Sequence, residues 1–242
     1  MHGRRFPRGL LALALWLGTA TAATPDELRI EPVSLTLQPG QSAATLWLGN
    51  GGAAPLHAQV RVFAWSQADG GEVLSPTREL AVSPPLVQVP AQGRQLVRVV
   101  RIAGDDAPPA EAAYRLIVDQ LPGGDPAAHL LRYSIPVFAA PARPPAGPRL
   151  SARIEEDVTG RRLLRLENSG DRHARVADLA FVGTGGQVHV VAPNLAGYVL
   201  AGSYKHWPLP ADAGRPPYGR FQAEVDGAPA VLVPAPELLG GP

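Results

Sequence analysis

Short runs in which apolar and polar residues alternate recur along this chain from Leu28 onwards. Alternation with a period of two is typical of β-strands, because successive side chains point to opposite faces of a sheet. Proline- and glycine-containing turns separate the runs at intervals of about ten residues, and Asn50-Gly51-Gly52 is typical of a hairpin loop. In the first half these runs are 28–37, 44–49, 57–65, 80–89, 95–102, 113–121 and 131–137. They predict an immunoglobulin-like β-sandwich.

The run that ends the first half, Ala127–Phe138, has a continuous apolar face. Its apolar positions from Leu131 on are separated by one residue each: Leu131, Tyr133, Ile135 and Val137. Pro136 lies between two of them and cannot donate a ladder hydrogen bond, so it favours an edge strand. An apolar edge strand invites pairing with another chain. We therefore predict that this strand binds a partner; an ordinary sandwich edge is the simpler interpretation of the periodicity.

The second half continues the strand pattern after a segment rich in proline and small residues. Residues 141–148 are predicted to be a stiff linker. Alternating runs follow from Arg149, with turns at 157–160, at Gly183–Gly186 and at 226–227. The sequence predicts an all-β protein with an N-terminal domain over 23–140 and a smaller sandwich over 149–242.

The N-terminus has the features of a secretory signal peptide. A basic start is followed by a short apolar run and an Ala-x-Ala site, so cleavage is expected after Ala22. No later stretch is long and apolar enough to predict a membrane helix. Cysteine is absent, and the net charge of +1 gives no reason to expect a nucleic-acid partner. Lys205 is the only lysine, which we ascribe to the arginine-rich composition of the chain.

No catalytic or metal-binding motif stands out. The histidines that follow the signal peptide are scattered: His57, His129, His173, His189 and His206. The glycines at 183–186 lack the Lys-Ser/Thr of a phosphate loop, and Ser203 lacks the glycines of a nucleophile elbow. We expect neither enzymatic activity nor a cofactor or metal.

Several stretches, taken in order, point to one family. Ser83-Pro84-Pro85 is followed by a glycine turn and an alternating run to Val99, and 111–122 reads Glu-Ala-Ala-Tyr-Arg-Leu-Ile-Val-Asp-Gln-Leu-Pro. Residues 164–175 and 197–203 continue the match in the second half. Together they resemble the PapD-like periplasmic chaperones of the chaperone–usher pilus system. The resemblance covers nearly all of the mature chain and implies two immunoglobulin-like domains set as an L or boomerang around a cleft.

The resemblance also implies a mechanism for the 127–138 strand. A pilus subunit lacks the last strand of its sandwich, and the chaperone lends one by pairing with the groove edge and inserting alternate side chains. Carried over, the inserting residues are Ala127, His129, Leu131, Tyr133 and Ile135. The implied partners are pilins and an outer-membrane usher, in the periplasm and without ATP. A free strand of this kind also allows the unbound chaperone to self-associate.

The family also anchors the subunit's terminal carboxylate with two basic side chains in the cleft. Ser34 and Pro136 stand at those positions here, a departure that resembles the archaic branch serving spore-coat-U-like pilins. A buried carboxylate still needs a cation and hydrogen-bond donors. The candidates are Arg115 first, Arg132 second, and then Arg98 or Arg101. Arg115 also has a simpler interpretation as a surface residue on a sheet face.

Two other function classes remain open from the sequence. One is a secreted two-domain binding module for carbohydrate or protein, which would more often expose aromatic side chains on loops. Trp47, Trp65 and Trp207 lie in or next to predicted strands, which favours core positions instead. The other is a hydrolase on a β scaffold, which lacks a recognisable triad or metal set.

Overall fold

The computed structural model describes residues 28–102, 108, 110–123, 129–211, 213 and 219–235. These residues form strands, turns and bends, and none of them lies in a helix. The predicted all-β fold is therefore confirmed. Within the described ranges, no helix is long and apolar enough to cross a membrane. The predicted signal peptide, residues 1–22, lies outside the described residues.

The first half of the chain forms two facing sheets. Its strands are, in chain order, β1 Leu28–Glu31, β2 Leu35–Leu37, β3 Ala43–Asn50, β4 Leu56–Ala68, β5 Gly71–Pro76, β6 Leu80–Ser83, β7 Leu86–Val89, β8 Arg94–Arg101, β9 Ala112–Gln120 and β10 Arg132–Ala139. One sheet has the order β1-β3-β8-β6, and the other has the order β2-β10-β9-β4-β5, with β7 also paired to β4. Alternate apolar side chains of both sheets fill the core between them.

The alternation on β9 shows how the two faces of the second sheet differ. Tyr114, Leu116 and Val118 belong to the core. Arg115, Ile117 and Asp119 alternate with them along the strand and therefore lie on the outer face of the sheet. This outer face carries the charged groups described below.

The second half repeats the arrangement with its own pair of sheets and its own core. Its strands are β11 Leu150–Glu156, β12 Arg162–Asn168, β13 Ala174–Val182, β14 Val188–Val199, β15 Ser203–Pro208, β16 Arg220–Val225 and β17 Ala228–Leu232. The sheet orders are β11-β12-β15 and β14-β13-β16-β17. The predicted turn at 157–160 joins β11 to β12, and the glycines at 183–186 join β13 to β14. Phe221, Leu164 and Leu166 are among the fully buried core side chains.

The loop that starts at Asn50 is not the hairpin that its Asn-Gly-Gly sequence indicated. β3 pairs with β1 and β8, whereas β4 belongs to the other sheet, so the loop crosses between sheets. Asn50 is buried; its Nδ2 donates to the carbonyl of Ala54 at 2.8 Å, and its Oδ1 accepts from the amide of Gly52 at 2.8 Å. The amide side chain thus satisfies backbone groups that a hairpin ladder would otherwise pair.

Trp47 differs from its predicted core position. It is 39% exposed, while Trp65 and Trp207 are buried. Leu46 and Leu48, its neighbours on β3, take the core positions, so the alternation of the strand sends Trp47 outwards.

A hairpin that sequence reasoning missed joins the two halves. It consists of the end of β4 and the strand β5, and its turn packs on β15. The amide of His206 donates to the carbonyl of Gly70 at 3.1 Å. The Gln67 side chain donates to the carbonyl of Tyr198 at 2.7 Å and accepts from the amide of Leu200 at 2.9 Å. We call the tip of this hairpin, residues 67–72, the bridging hairpin.

Candidate functional site

The first part of β10 has an unpaired edge. β9 pairs with β10 over the whole of Arg132–Ala139. On the other side, β2 pairs in parallel with Val137–Ala139 alone, and no other described strand continues the sheet there. We call Arg132–Pro136 the free edge. A free edge presents backbone donors and acceptors on which another strand can pair.

The predicted inserting residues on this strand share one face, but their burial differs. Leu131 and Tyr133 are partly buried and pack against the core, whereas Ile135 is only 3% exposed and belongs to the core itself. The Tyr133 hydroxyl donates to the carbonyl of Leu28 on β1 at 2.7 Å. Leu131 and Tyr133 are therefore the apolar side chains of this face that a partner can reach.

The remaining two predicted residues lie before Leu131, which itself directly precedes β10. His129 is exposed and precedes the strand. Ala127 lies outside the described residues. Leu130, which the alternation did not select, is also exposed and lines a depression of about 510 Å³ together with Leu131 and Arg132.

Asp119 organises the charges at the open end of the outer face. It accepts a hydrogen bond from Arg61 at 2.6 Å and a second one from Arg132. Burial by itself would raise the pKa of Asp119, but the hydrogen bonds from Arg132 and Arg61 outweigh that effect and hold its pKa below the usual range. Arg132, the second anchor candidate, thus stands in an exposed ion-pair cluster.

Arg115, the first anchor candidate, is a buried cation on the outer face of β9. Its residue is 8% exposed, and its guanidinium lies 3.6 Å from the ring centroid of Trp65. Tyr198, from the second half, is 5.6 Å away. Burial lowers the pKa of Arg115 from its ordinary value, while the Glu72 carboxylate opposes that shift. The predicted surface position is therefore wrong: Arg115 stands at the junction of the two halves.

The partners of Arg115 were not apparent from the sequence. Glu72, on the bridging hairpin, accepts from Arg115 Nη2 at 3.2 Å through Oε2 and from Lys205 Nζ at 3.2 Å through Oε1. Lys205 comes from β15 in the second half. The sequence signal for this contact is that Lys205 is the only lysine of the chain, a feature that the arginine-rich composition also explains.

Arg98 and Ser34 stand elsewhere in the first half. Arg98 lies on β8 between Val97 and Val99, both of which face the core, so it lies on the outer face of the other sheet. The core therefore separates Arg98 from Arg115. Ser34 lies between β1 and β2 and is exposed.

Comparison with known proteins gives a family and a set of similar folds. The family model described as "Pili and flagellar-assembly chaperone, PapD N-terminal domain" matches residues 27–145. No curated protein matches the chain. Among solved structures, the chain is similar to the CsuC–CsuE chaperone–tip adhesion subunit pre-assembly complex from archaic chaperone–usher Csu pili of Acinetobacter baumannii. The identity is 24% and the TM-score 0.70, and the match covers 86% of this chain and 99% of that one.

Two further structures have the same fold at lower identity. The complex of the Salmonella enterica SafA pilin with the SafB chaperone matches at 20% identity and a TM-score of 0.59, over 88% of this chain and 98% of that one. The Pseudomonas aeruginosa CupB2 chaperone matches at 16% identity and a TM-score of 0.57, over 84% and 97%. Residues 27–145 of this chain are therefore a PapD-type N-terminal domain, the domain of pili and flagellar-assembly chaperones.

Proposed function

We propose that this chain is an ATP-independent periplasmic chaperone. It binds, folds and caps pilus subunits by donor-strand complementation and delivers them to an outer-membrane usher. The observation that carries the proposal is the free edge of β10, where Arg132–Pro136 has a strand on one side only among the described residues.

The free edge suits the capture of an incomplete sandwich. A subunit that lacks a strand exposes an apolar groove, which aggregates in water. A strand of that subunit can pair with the backbone of Arg132–Pro136, while Leu131 and Tyr133 enter the groove. Each buried large apolar side chain contributes about 1.5–3 kcal/mol before the costs of association, so no external energy source is required.

Ile135 has a supporting role in this proposal. Because its side chain fills the core of the chain itself, it holds the base of the strand in place rather than entering the subunit. Insertion is then left to Leu131 and Tyr133, with His129 and Ala127 further towards the start of the strand.

Similar structures support the choice of partner. The CsuC–CsuE complex of A. baumannii joins a chaperone to a tip subunit, and SafB of S. enterica is bound to the SafA pilin. Because Ser34 and Pro136 replace the basic pair of the better-known chaperones, we place this chain in the archaic branch. The predicted signal peptide at 1–22 accounts for its export to the periplasm.

Arg115 is the proposed anchor for the terminal carboxylate of the subunit. It is a cation in a buried position, where a charge-assisted hydrogen bond is stronger than in water. Arg132 already binds Asp119 at an exposed site, and Arg98 lies across the core from Arg115. Both are therefore weaker candidates.

Co-purification tests the proposal. The tagged mature protein is co-expressed in a periplasm with the small secreted subunit encoded next to it, and the captured complex is identified. We expect a one-to-one complex that is lost on Leu131→Asp. The matched control is Leu86→Asp, which changes a leucine that is 61% exposed on β7. A folded, monodisperse protein that captures no subunit but binds a glycan would support the secreted binding module instead.

A further inference from the structure

At this junction the Glu72 carboxylate contacts one cation from each half of the chain, Arg115 and Lys205. Its Oε2 is 3.2 Å from Arg115 Nη2, and its Oε1 is 3.2 Å from Lys205 Nζ. The stem of Lys205 passes close to Gly197, where an added Cβ would lie 3.1 Å from Lys205 Cε. The lysine therefore reaches this position because its neighbour has no side chain.

The contact between Arg115 and Glu72 leaves the guanidinium incompletely paired. Arg115 Nε is fully buried and has no hydrogen-bond partner. Planar guanidinium groups bind carboxylates best through two parallel hydrogen bonds, whereas Glu72 takes one from Arg115. A buried donor without an acceptor costs free energy, so a carboxylate that also engaged Nε would be favoured over Glu72.

The Glu72 side chain is accessible to solvent. Its side chain is 34% exposed, whereas the two cations that it joins are largely buried. A departing Glu72 carboxylate would enter water, where it is well solvated.

We propose that Glu72 is an internal stand-in for the subunit's terminal carboxylate, and that an arriving carboxylate displaces it from between Arg115 and Lys205. This inference rests on the proposed chaperone function. It adds Lys205 as a second anchoring cation, supplied by the second half. In the unbound chaperone, the Glu72 carboxylate then partly neutralises the positive charges of Arg115 and Lys205 until a subunit binds.

The displacement would also reach the contact between the halves. Glu72 lies on the bridging hairpin, whose turn packs on the strand that carries Lys205. Replacing Glu72 with an external carboxylate removes one ion pair between the hairpin and β15. Subunit binding is thereby coupled to how tightly the two halves are held together.

Two peptides of the same alternating Val–Thr sequence, one ending in a free carboxylate and the other in a carboxamide, provide the test. Calorimetric titration of the mature protein gives the ratio of the two affinities, which isolates the carboxylate from strand pairing. Glu72→Gln is expected to raise this ratio by about tenfold or more, because the acid peptide no longer has to displace a charged hydrogen-bond acceptor from Arg115; tenfold corresponds to about 1.4 kcal/mol. Lys205→Gln is expected to lower it. Glu224→Gln is the matched control, since it breaks an exposed ion pair with Arg175 and should leave the ratio unchanged.

The single lysine offers a second readout on the unmutated binding site. Reductive ¹³C-methylation labels Lys205 and the α-amino group alone. The Lys205 resonance should shift with the acid peptide and stay in place with the amide. This measurement does not depend on whether any variant folds.

The outcomes separate the two proposals. If Arg115→Met abolishes the preference for the acid peptide while Glu72→Gln leaves the ratio unchanged or lowers it, Glu72 is a structural ion pair and the stand-in role is wrong. If both peptides bind the wild type equally, carboxylate anchoring fails and strand pairing stands. If neither peptide binds, the free edge is no receptor and the proposed function fails with this inference.

Discussion

Arg115 and Pro136 lie directly opposite each other in the antiparallel register of β9 and β10. Both residues therefore point to the same outer face, at the end of the free edge. The resemblance to the chaperone family implies a basic residue at the position of Pro136, and we propose that Arg115 on the adjacent strand supplies the cation instead. We expect that this exchange keeps a positive charge beside the last paired residue of a bound subunit.

Arg115→Met should weaken subunit capture by about tenfold or more, because a charge-assisted hydrogen bond to the terminal carboxylate is lost. Methionine is flexible enough to fill the space over Trp65, so the free energy of unfolding should change little. Co-purification yield and thermal unfolding measure the two effects. Arg115→Lys keeps the positive charge but loses the planar guanidinium group, so its capture yield should lie between those of the wild type and Arg115→Met. Capture that survives Arg115→Met would move the anchor to another residue.

Leu131→Asp and Tyr133→Asp should abolish subunit capture while the protein stays folded, since both side chains are partly accessible. Ile135→Asp should instead destabilise the protein by about 4 kcal/mol or more, because it places a charge in the core. Circular dichroism, thermal unfolding and pull-down of the subunit distinguish these results. Normal subunit levels with Leu131→Asp would argue strongly against the donor-strand role of β10.

Tyr133→Phe should lower the free energy of unfolding by about 1 kcal/mol, because the hydrogen bond to the carbonyl of Leu28 is removed. The ring remains, so capture of the subunit should persist. Chemical denaturation and co-purification test the two halves of this prediction. If the hydroxyl proves necessary for capture, the subunit recognises Tyr133 as a hydrogen-bonding group and not as an apolar one.

Gly70→Ala should weaken the contact between the halves. An added Cβ would lie 2.3 Å from His206 Nδ1, and the backbone φ of +73° is unfavourable for alanine. Gly40→Ala is the matched control, because Gly40 has φ +74° and no atom near the added Cβ. In denaturant titrations, the free energy of unfolding should fall by about 1 kcal/mol in Gly40→Ala and by more in Gly70→Ala. Adding His206→Ala removes the ring and should recover most of the difference, although its Cβ stays 3.0 Å from the added Cβ. Equal costs at the two glycines would contradict the steric argument.

Acid should destabilise the protein partly through Asp119. Its folded-state pKa is lowered, so its contribution to stability is present above the unfolded pKa of about 3.9 and is lost as the pH falls through the folded value. Between about pH 6 and pH 2, the midpoint temperature of thermal unfolding should therefore fall less steeply with decreasing pH in Asp119→Asn than in the wild type. An unchanged slope in Asp119→Asn would mean that its ion pairs with Arg61 and Arg132 add no net stability.

Much of the fold could be predicted from local pattern. The runs 113–121 and 131–137 identified β9 and β10, and the burial of Ile135 and Val137 follows the face predicted for the second run. The Asn50 loop was misread because an Asn-Gly pair is equally suited to a hairpin and to a crossing between sheets. Trp47 was misplaced because a strand has two faces and residue type alone does not select one.

The sequence by itself determined the strands, the class of fold and the resemblance to a chaperone family, because side-chain periodicity and turn chemistry are properties of neighbouring residues. Only the tertiary structure decided which edge of β10 stays open and which charges meet at Arg115. Glu72 and Lys205 are 133 residues apart, and their contact depends on the packing of one hairpin against a strand of the other half. Sheet order and the docking of the halves are set by the sum of many distant contacts, which no local run of residues records.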